Sequence, residues 1–146
     1  MPAARVLLLT QKVCYDMKYR SMNNVDKKRR AMKILFVDDE PFILRFSQRF
    51  CKAVGHECVT AQTVEEAEKI IKANGIDLAV FDTEIGRRKG FELVGLCKEV
   101  GLSFIGSSTD ATYKYQWLDL GALYFLEKPY RKSEFNAMIE ASQKKS

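Results

Sequence analysis

From residue 32 onward the chain alternates between two hydrophobic patterns. Compact apolar runs give way to stretches in which apolar residues recur every three or four positions, with short polar links between them. "KILFV" (33–37) carries apolar side chains at consecutive positions, which fits a strand buried on both faces. Phe42, Ile43, Phe46, Phe50 and Val54 then recur at helical spacing. Pro41 opens that helix in the first turn, where its missing N–H costs nothing, and Gly55 stops it. "ECVTA" (57–61) reads as a short strand. Thr63 and Glu66 have the spacing of a capping box ahead of a helix bearing Ala67, Ile70 and Ile71, and Asn74-Gly75 closes it.

The alternation continues to the end. "DLAVF" (77–81) predicts a third strand running into Asp82, followed by a loop, "DTEIGRRKG". Phe91 to Val100 predicts a helix, "LSFIGSS" (102–108) a fourth strand, and Asp110 to Leu120 a helix closed by Gly121. "ALYFLE" (122–127) predicts a fifth strand that runs into Lys128-Pro129. Phe135, Met138 and Ile139 mark the packed face of a last helix. Five strand–helix pairs with short links imply an α/β fold: a three-layer α/β/α sandwich, doubly wound around a five-stranded parallel sheet. Ligands of such sheets bind beyond the carboxyl ends of the strands.

Composition adds limits. A chain of 146 residues, 47% hydrophobic and 29% charged, can bury a full core and has the balance of a soluble protein. No apolar run reaches the roughly 18–20 residues of a membrane span, and "VLLL" near the start is far short of a signal-peptide core. Cys14, Cys51, Cys58 and Cys97 form no CxxC pair and have only His56 to join them, so neither a zinc site nor a disulfide framework is indicated. They read as reduced thiols of a cytoplasmic protein, two or three of them in the core. His56, in a "GHE" turn, is expected to be solvated.

The net charge of +5 is unevenly placed. Residues 1–32 hold eight Lys/Arg against two Asp, or +6, and the remaining 114 residues sum to −1. Residues 1–31 therefore read as a basic leader, expected to be disordered or to be upstream sequence read from an early start codon. The rival reading is a basic arm that touches nucleic acid or a membrane through "KKRR".

The polar residues fall where a site belongs. Strand one ends at Asp38-Asp39, strand three at Asp82, strand four at Ser107-Ser108 and strand five at Glu127-Lys128. Parallel strands bring these to one edge of the sheet. Clustered carboxylates need a cation, and hard oxygen donors suit Mg2+. A carboxylate can also attack phosphorus to give an aspartyl phosphate, with Lys128 offsetting charge and a hydroxyl binding a phosphoryl oxygen. The hydroxyl is Ser108 in the simplest register, with Ser107 or Thr109 left open by a slip of one.

With these motifs ("ILFVDDEP", "DLAVFDTEIGRRKGFEL", "SFIGSST", "GALYFLEKPY") the chain resembles the receiver domain of two-component response regulators over about residues 32–144. The resemblance implies a flavodoxin-like sheet of order 2-1-3-4-5 and a domain over 32–146. It implies Asp82 as phosphoacceptor, and Mg2+ held by Asp39, Asp82 and the backbone carbonyl of Glu84, with Asp38 acting mostly through water. It also implies Ser108 and Phe125 as switch residues, with a plain core aromatic as the rival reading of Phe125. Lys128 would contact the phosphoryl group, through a cis bond to Pro129. The protein would be a stand-alone phosphorelay switch rather than an enzyme, taking its phosphoryl group from a histidine kinase or phosphotransfer protein. It would signal to an unknown output protein through the face made by the fourth helix, fifth strand and fifth helix, which also allows a homodimer. Neither a membrane nor nucleic acid is an expected partner.

Departures from the family pattern carry expectations of their own. Gly86 stands where a proline is usual and precedes "RRK", which predicts a looser loop or one suited to a particular partner. Gly106 and Ser107 replace bulkier residues of strand four, which predicts weaker packing there. Tyr113, Trp117, Tyr124 and Tyr130 gather near the fourth helix and fifth strand, half of them expected to be packing and the rest a docking face. Of the rival functions, a flavin- or nucleotide-binding protein on the same fold would need a Gly- or Ser/Thr-rich phosphate loop after strand one, where "DDEP" stands instead.

Overall fold

A computed structural model of the chain describes residues 31–145. Nearly all of the basic leader, with Cys14 and the nucleic-acid arm read into it, lies outside the described residues. Five strands form one parallel sheet: β1 (Lys33–Val37), β2 (Glu57–Ala61), β3 (Leu78–Asp82), β4 (Ser103–Ser108) and β5 (Phe125–Glu127), in the order β2-β1-β3-β4-β5. The expected 2-1-3-4-5 sandwich is the one observed. The helices are α1 (Pro41–Ala53), α2 (Val64–Lys72), α3 (Val94–Val100), α4 (Lys114–Asp119) and α5 (Lys132–Lys145), with single 3-10 turns leading into α3 and α4.

The period of two along each strand divides the core into two layers. Leu35, Val37, Ala79, Phe81 and Phe104 point to one face and meet Val64, Ala67, Ile71, Val94, Cys97 and Trp117 from α2, α3 and α4. Ile34, Phe36, Leu78, Val80, Ile105 and Leu126 point to the other and meet Leu44, Cys51, Phe135, Met138 and Ile139 from α1 and α5. Consecutive apolar residues in β1 and β3 are thus explained: both faces are covered.

Several expectations change in detail. The reciprocal bond of the α2 cap is displaced by one residue. Thr63 Oγ1 accepts from the Glu66 amide at 3.0 Å, but Glu66 Oε1 accepts from Gln62, not Thr63, at 2.7 Å. The fifth strand is shorter than "ALYFLE" suggests, although Leu123 N–H still reaches the Phe104 carbonyl at 2.9 Å. His56 is half-buried rather than solvated; its Nδ1 accepts from the Met32 amide at 2.9 Å, and burial lowers its pKa. Cys51 and Cys97 are buried free thiols and Cys58 is half-buried, in line with two or three core cysteines.

The expected loop after β3 is folded. Glu84–Ile85 and Arg88–Lys89 pair as a small antiparallel ribbon, and Gly86 at φ +66° makes its turn. Arg88 bridges Glu65 of α2 and Glu92, each at 2.6 Å, and Lys89 reaches Glu84 at 3.2 Å. The basic "RRK" run is largely consumed by these local ion pairs, so the predicted looseness is replaced by a tied-down hairpin.

Packing along β4 is tight, against expectation. A Cβ at Gly106 would overlap the Trp117 ring, so the missing side chain is a socket for the indole. Trp117 is fully buried, with Phe91 at 4.6 Å, Phe104 at 6.2 Å and Phe81 at 6.4 Å between ring centroids. Trp117 and Tyr130 are the packing half of the aromatic group, and Tyr113 and Tyr124 are half-buried. Gly106→Val is expected to destabilise the domain by about 1–3 kcal/mol through overpacking. The check is the urea midpoint, and an unchanged midpoint would contradict the socket.

Candidate functional site

The strand ends converge as the topology requires. Beyond the carboxyl ends of β1, β3, β4 and β5 lies an open cavity of about 430 Å³. Its walls include Asp39, Asp82, Glu84, Ser108, Tyr113 and Lys128. Asp38 sits beneath it, buried at 4% exposure, and Asp82 is 9% exposed.

Lys128 is the hinge of the charge arrangement. Its Nζ lies 2.8 Å from Asp38 Oδ2 and 3.2 Å from Asp82 Oδ1. The Lys128–Pro129 peptide is cis, as the resemblance implied. Each of the three carboxylates also accepts from a backbone donor, and Asp82 Oδ1 does so while in contact with Lys128. Asp38 Oδ1 accepts from the Glu40 amide at 3.0 Å, Asp39 Oδ2 from the Gly86 amide at 2.9 Å, and Asp82 Oδ1 from the Thr83 amide at 3.0 Å. The Gly86 contact is one that a proline at that position could not make, since proline has no N–H.

Electrostatics follow from this geometry. Burial, and then the nearby Asp38 charge, push the Asp82 carboxyl up to about 6, against the pull of Lys128. Burial works against the Lys128 ammonium, but its bonds to Asp38 and Asp82 outweigh that and raise its pKa. Asp38, Asp39 and Asp82 each offer an oxygen, and these oxygens lie within 4.8 Å of one another. One ammonium among three carboxylates leaves the cluster short of positive charge, and an all-oxygen donor set fits a hard divalent cation.

The three carboxylates, Lys128 and Ser108 are thus brought together. Ser107 is turned away: its Oγ donates to the Leu126 carbonyl at 2.9 Å. Thr109 also faces the cavity. The Ser108 Oγ accepts from the Asp110 amide at 3.0 Å and keeps its proton free to donate. Glu84 borders the cavity with its exposed side chain paired to Lys89. Phe125 is set apart, half-buried against the core and lining a separate cleft of about 140 Å³ with Ala111, Lys114 and Glu134.

The sequence reading missed Thr83. Fully buried, it donates from Oγ1 to the Ser107 carbonyl at 2.8 Å and accepts from Trp117 Nε1 at 2.8 Å. The signal was a hydroxyl residue directly after a strand-end aspartate. It missed Ser47 as well, whose buried Oγ lies 2.7 Å from Tyr130 Oη and ties α1 to the segment after Lys128.

Comparison with known proteins identifies a family. Residues 34–140 match the response regulator receiver domain. The chain is similar to the transcriptional regulatory protein YvrH of Bacillus subtilis (strain 168), at 32% identity over 117 residues covering 77% of this chain and 49% of that protein. It is similar to the alkaline phosphatase synthesis transcriptional regulatory protein PhoP of the same organism, at 30% over 118 residues (78% and 49%). The chain spans about half the length of the curated relatives it matches. Among solved structures, the beryllofluoride-activated NtrC4 receiver domain dimer aligns at TM-score 0.71 and 26% identity, covering 78% of this chain and 98% of that one. A CheY-like receiver domain protein from Methanospirillum hungatei JF-1 aligns at TM-score 0.72 and 23% identity (80% and 96%), a likeness of fold. Among the described residues, no helix is long and apolar enough to cross a membrane.

The raised Asp82 pKa has a thermodynamic consequence. Unfolded, the group titrates near 3.9; folded and without a cation it titrates at about 6. The folded state holds the proton more tightly, so this group's contribution is full below about pH 4 and is lost as pH rises through 6. Asp82→Asn removes the titration. With chelator present, the variant's stability advantage over wild type is expected to grow by up to about 3 kcal/mol between pH 4 and pH 8. Urea midpoints across that range read it, and an advantage independent of pH would contradict the assignment.

Proposed function

The chain belongs to the response regulator receiver domain family, whose general function is phosphorylation-dependent signalling, and from that premise we propose that Asp82 is its phosphoacceptor. The observation that carries this reading is the Lys128 ammonium bonded to both Asp38 and Asp82 at the mouth of an open acidic cavity.

The chemistry follows from the residues. Asp82 presents a carboxylate at the open cavity, a group that can act as a nucleophile towards phosphorus. Its oxygen attacks the phosphorus of a donor phosphohistidine or small acyl phosphate. The O–P bond forms as the donor's N–P or O–P bond breaks, and the electron pair leaves with the imidazole or carboxylate. Lys128, already within reach of Asp82, follows the new phosphoryl oxygens and offsets their charge. The Ser108 hydroxyl donates to one of those oxygens. Mg2+, held by Asp39, Asp82 and the Glu84 carbonyl with Asp38 through water, would neutralise charge on the transferred group.

The phosphodonor is a histidine kinase or phosphotransfer protein, and the working compartment is the cytoplasm. Output passes by protein contact through α4, β5 and α5, where Tyr115 is 69% exposed beside the cleft that holds Phe125. The same face is the candidate homodimer surface.

Acetyl phosphate with Mg2+ tests the site. Wild type is expected to gain one phosphoryl group by intact-mass measurement, acid-stable and base-labile. Asp82→Asn is expected to gain none, and Lys128→Ala to be slowed by one to several orders of magnitude, roughly the scale of losing one preorganised charge-stabilising donor. Phosphorylation of the Asn variant at the wild-type rate would refute the reading.

A further inference from the structure

We propose that Thr83 is a positioning residue that couples the phosphorylation site to α4, its hydroxyl passing the movement of the Ser108 peptide to the Trp117 indole. The proposal rests on Asp82 being the phosphoacceptor and adds the route by which α4 registers the event.

The route is a continuous buried chain. The Thr83 hydroxyl has one proton, and it goes to the Ser107 carbonyl at 2.8 Å. Its lone pair receives the Trp117 indole N–H at 2.8 Å. The Thr83 backbone N–H is shared between the same carbonyl at 2.9 Å and Asp82 Oδ1 at 3.0 Å. One residue therefore touches the phosphoacceptor carboxylate, the β4 backbone and α4 together.

The Ser107 carbonyl and the Ser108 nitrogen belong to one peptide plane. When Ser108 moves to donate to a phosphoryl oxygen, that plane turns and carries with it the acceptor of both Thr83 donors. A dry, buried hydroxyl cannot drop its acceptor without the full desolvation penalty, so Thr83 follows. The indole N–H faces the same constraint one step further on.

The far end of the chain gives this leverage. Trp117 is the one buried residue of α4; Lys114, Tyr115, Gln116, Leu118 and Asp119 are exposed. Within the helix the Trp117 ring, seated over Gly106, is the buried anchor, with Tyr113 and Leu120 packed half-buried at the helix's two ends. A displacement of that ring is a displacement of the helix, and Tyr115 and Leu118 travel with it.

The sequence contains one tryptophan, so emission excited at the red edge of the aromatic absorption, beyond the tyrosines, reports this ring. Beryllofluoride with Mg2+ is added to wild type, Thr83→Val and Thr83→Ser, and adduct formation is followed in the same samples by the fluorine resonances of the bound group. Emission is expected to shift on adduct formation in wild type, to lose that response in Thr83→Val although the adduct forms, and to regain it in Thr83→Ser. A second arm uses Trp117→Phe and amide hydrogen exchange. Adduct formation is expected to change α4 exchange in wild type and to leave it unchanged in Trp117→Phe. A wild-type adduct with silent emission, or a Thr83→Val response equal to wild type, overturns the coupling while leaving the phosphoacceptor intact. Absence of any wild-type adduct overturns the phosphoacceptor reading and the coupling with it.

Discussion

One ammonium held between two buried carboxylates organises this domain. Lys128 reaches Asp38 at 2.8 Å and Asp82 at 3.2 Å, and the three groups come from the ends of β1, β3 and β5. Taking such charges out of water is costly, and mutual attraction alone seldom recovers the cost. The triad carries a net negative charge even so, and Asp39 at the cavity rim adds to it. An arrangement of this kind is poor as a structural brace. It makes sense as a site left short of positive charge, with an all-oxygen donor set suited to a hard divalent cation.

The fold's contribution is to make that imbalance geometrically cheap. Parallel strands end on one edge, so side chains 90 residues apart in sequence become neighbours without any long loop. The elements around the edge are fastened by backbone donors rather than by further charge. The Gly86 amide holds Asp39, the Glu40 amide holds Asp38, and the Thr83 amide holds Asp82. Each donor stabilises an anion without neutralising it, which keeps the carboxylates oriented and still available to a cation.

The limits of the sequence reading follow the same division. β1 and β2 were legible to the residue because strands buried on both faces, or packed beside one, write their pattern locally. Asp38, Asp39, Asp82, Ser108 and Lys128 were legible because strand ends on one edge converge whatever the helices do. The Glu84–Lys89 ribbon was not, since its strands are two residues long and part of its stabilisation comes from Glu65 and Glu92 outside it. The socket over Gly106 was misread as a weakness for a similar reason. A glycine in a strand reads as lost packing until the partner that fills it is known, and Trp117 lies on another element. Thr83 was passed over because its importance lies in two partners, Ser107 and Trp117, that only the folded chain brings to it.

These two kinds of contact divide the labour within a small volume. The front of the site is open, charged and short of a cation, its carboxylates oriented by backbone donors. Behind it, Thr83, Ser107 and Trp117 form a dry chain whose bonds have no solvent to replace them. An open front alone would dissipate a change in oxygen position into rearranged water. A dry rear alone would have nothing to respond to. Joined at the Asp82–Thr83 peptide, they let a rearrangement of anionic oxygens at the rim act on packed side chains, where small displacements are resisted and therefore transmitted.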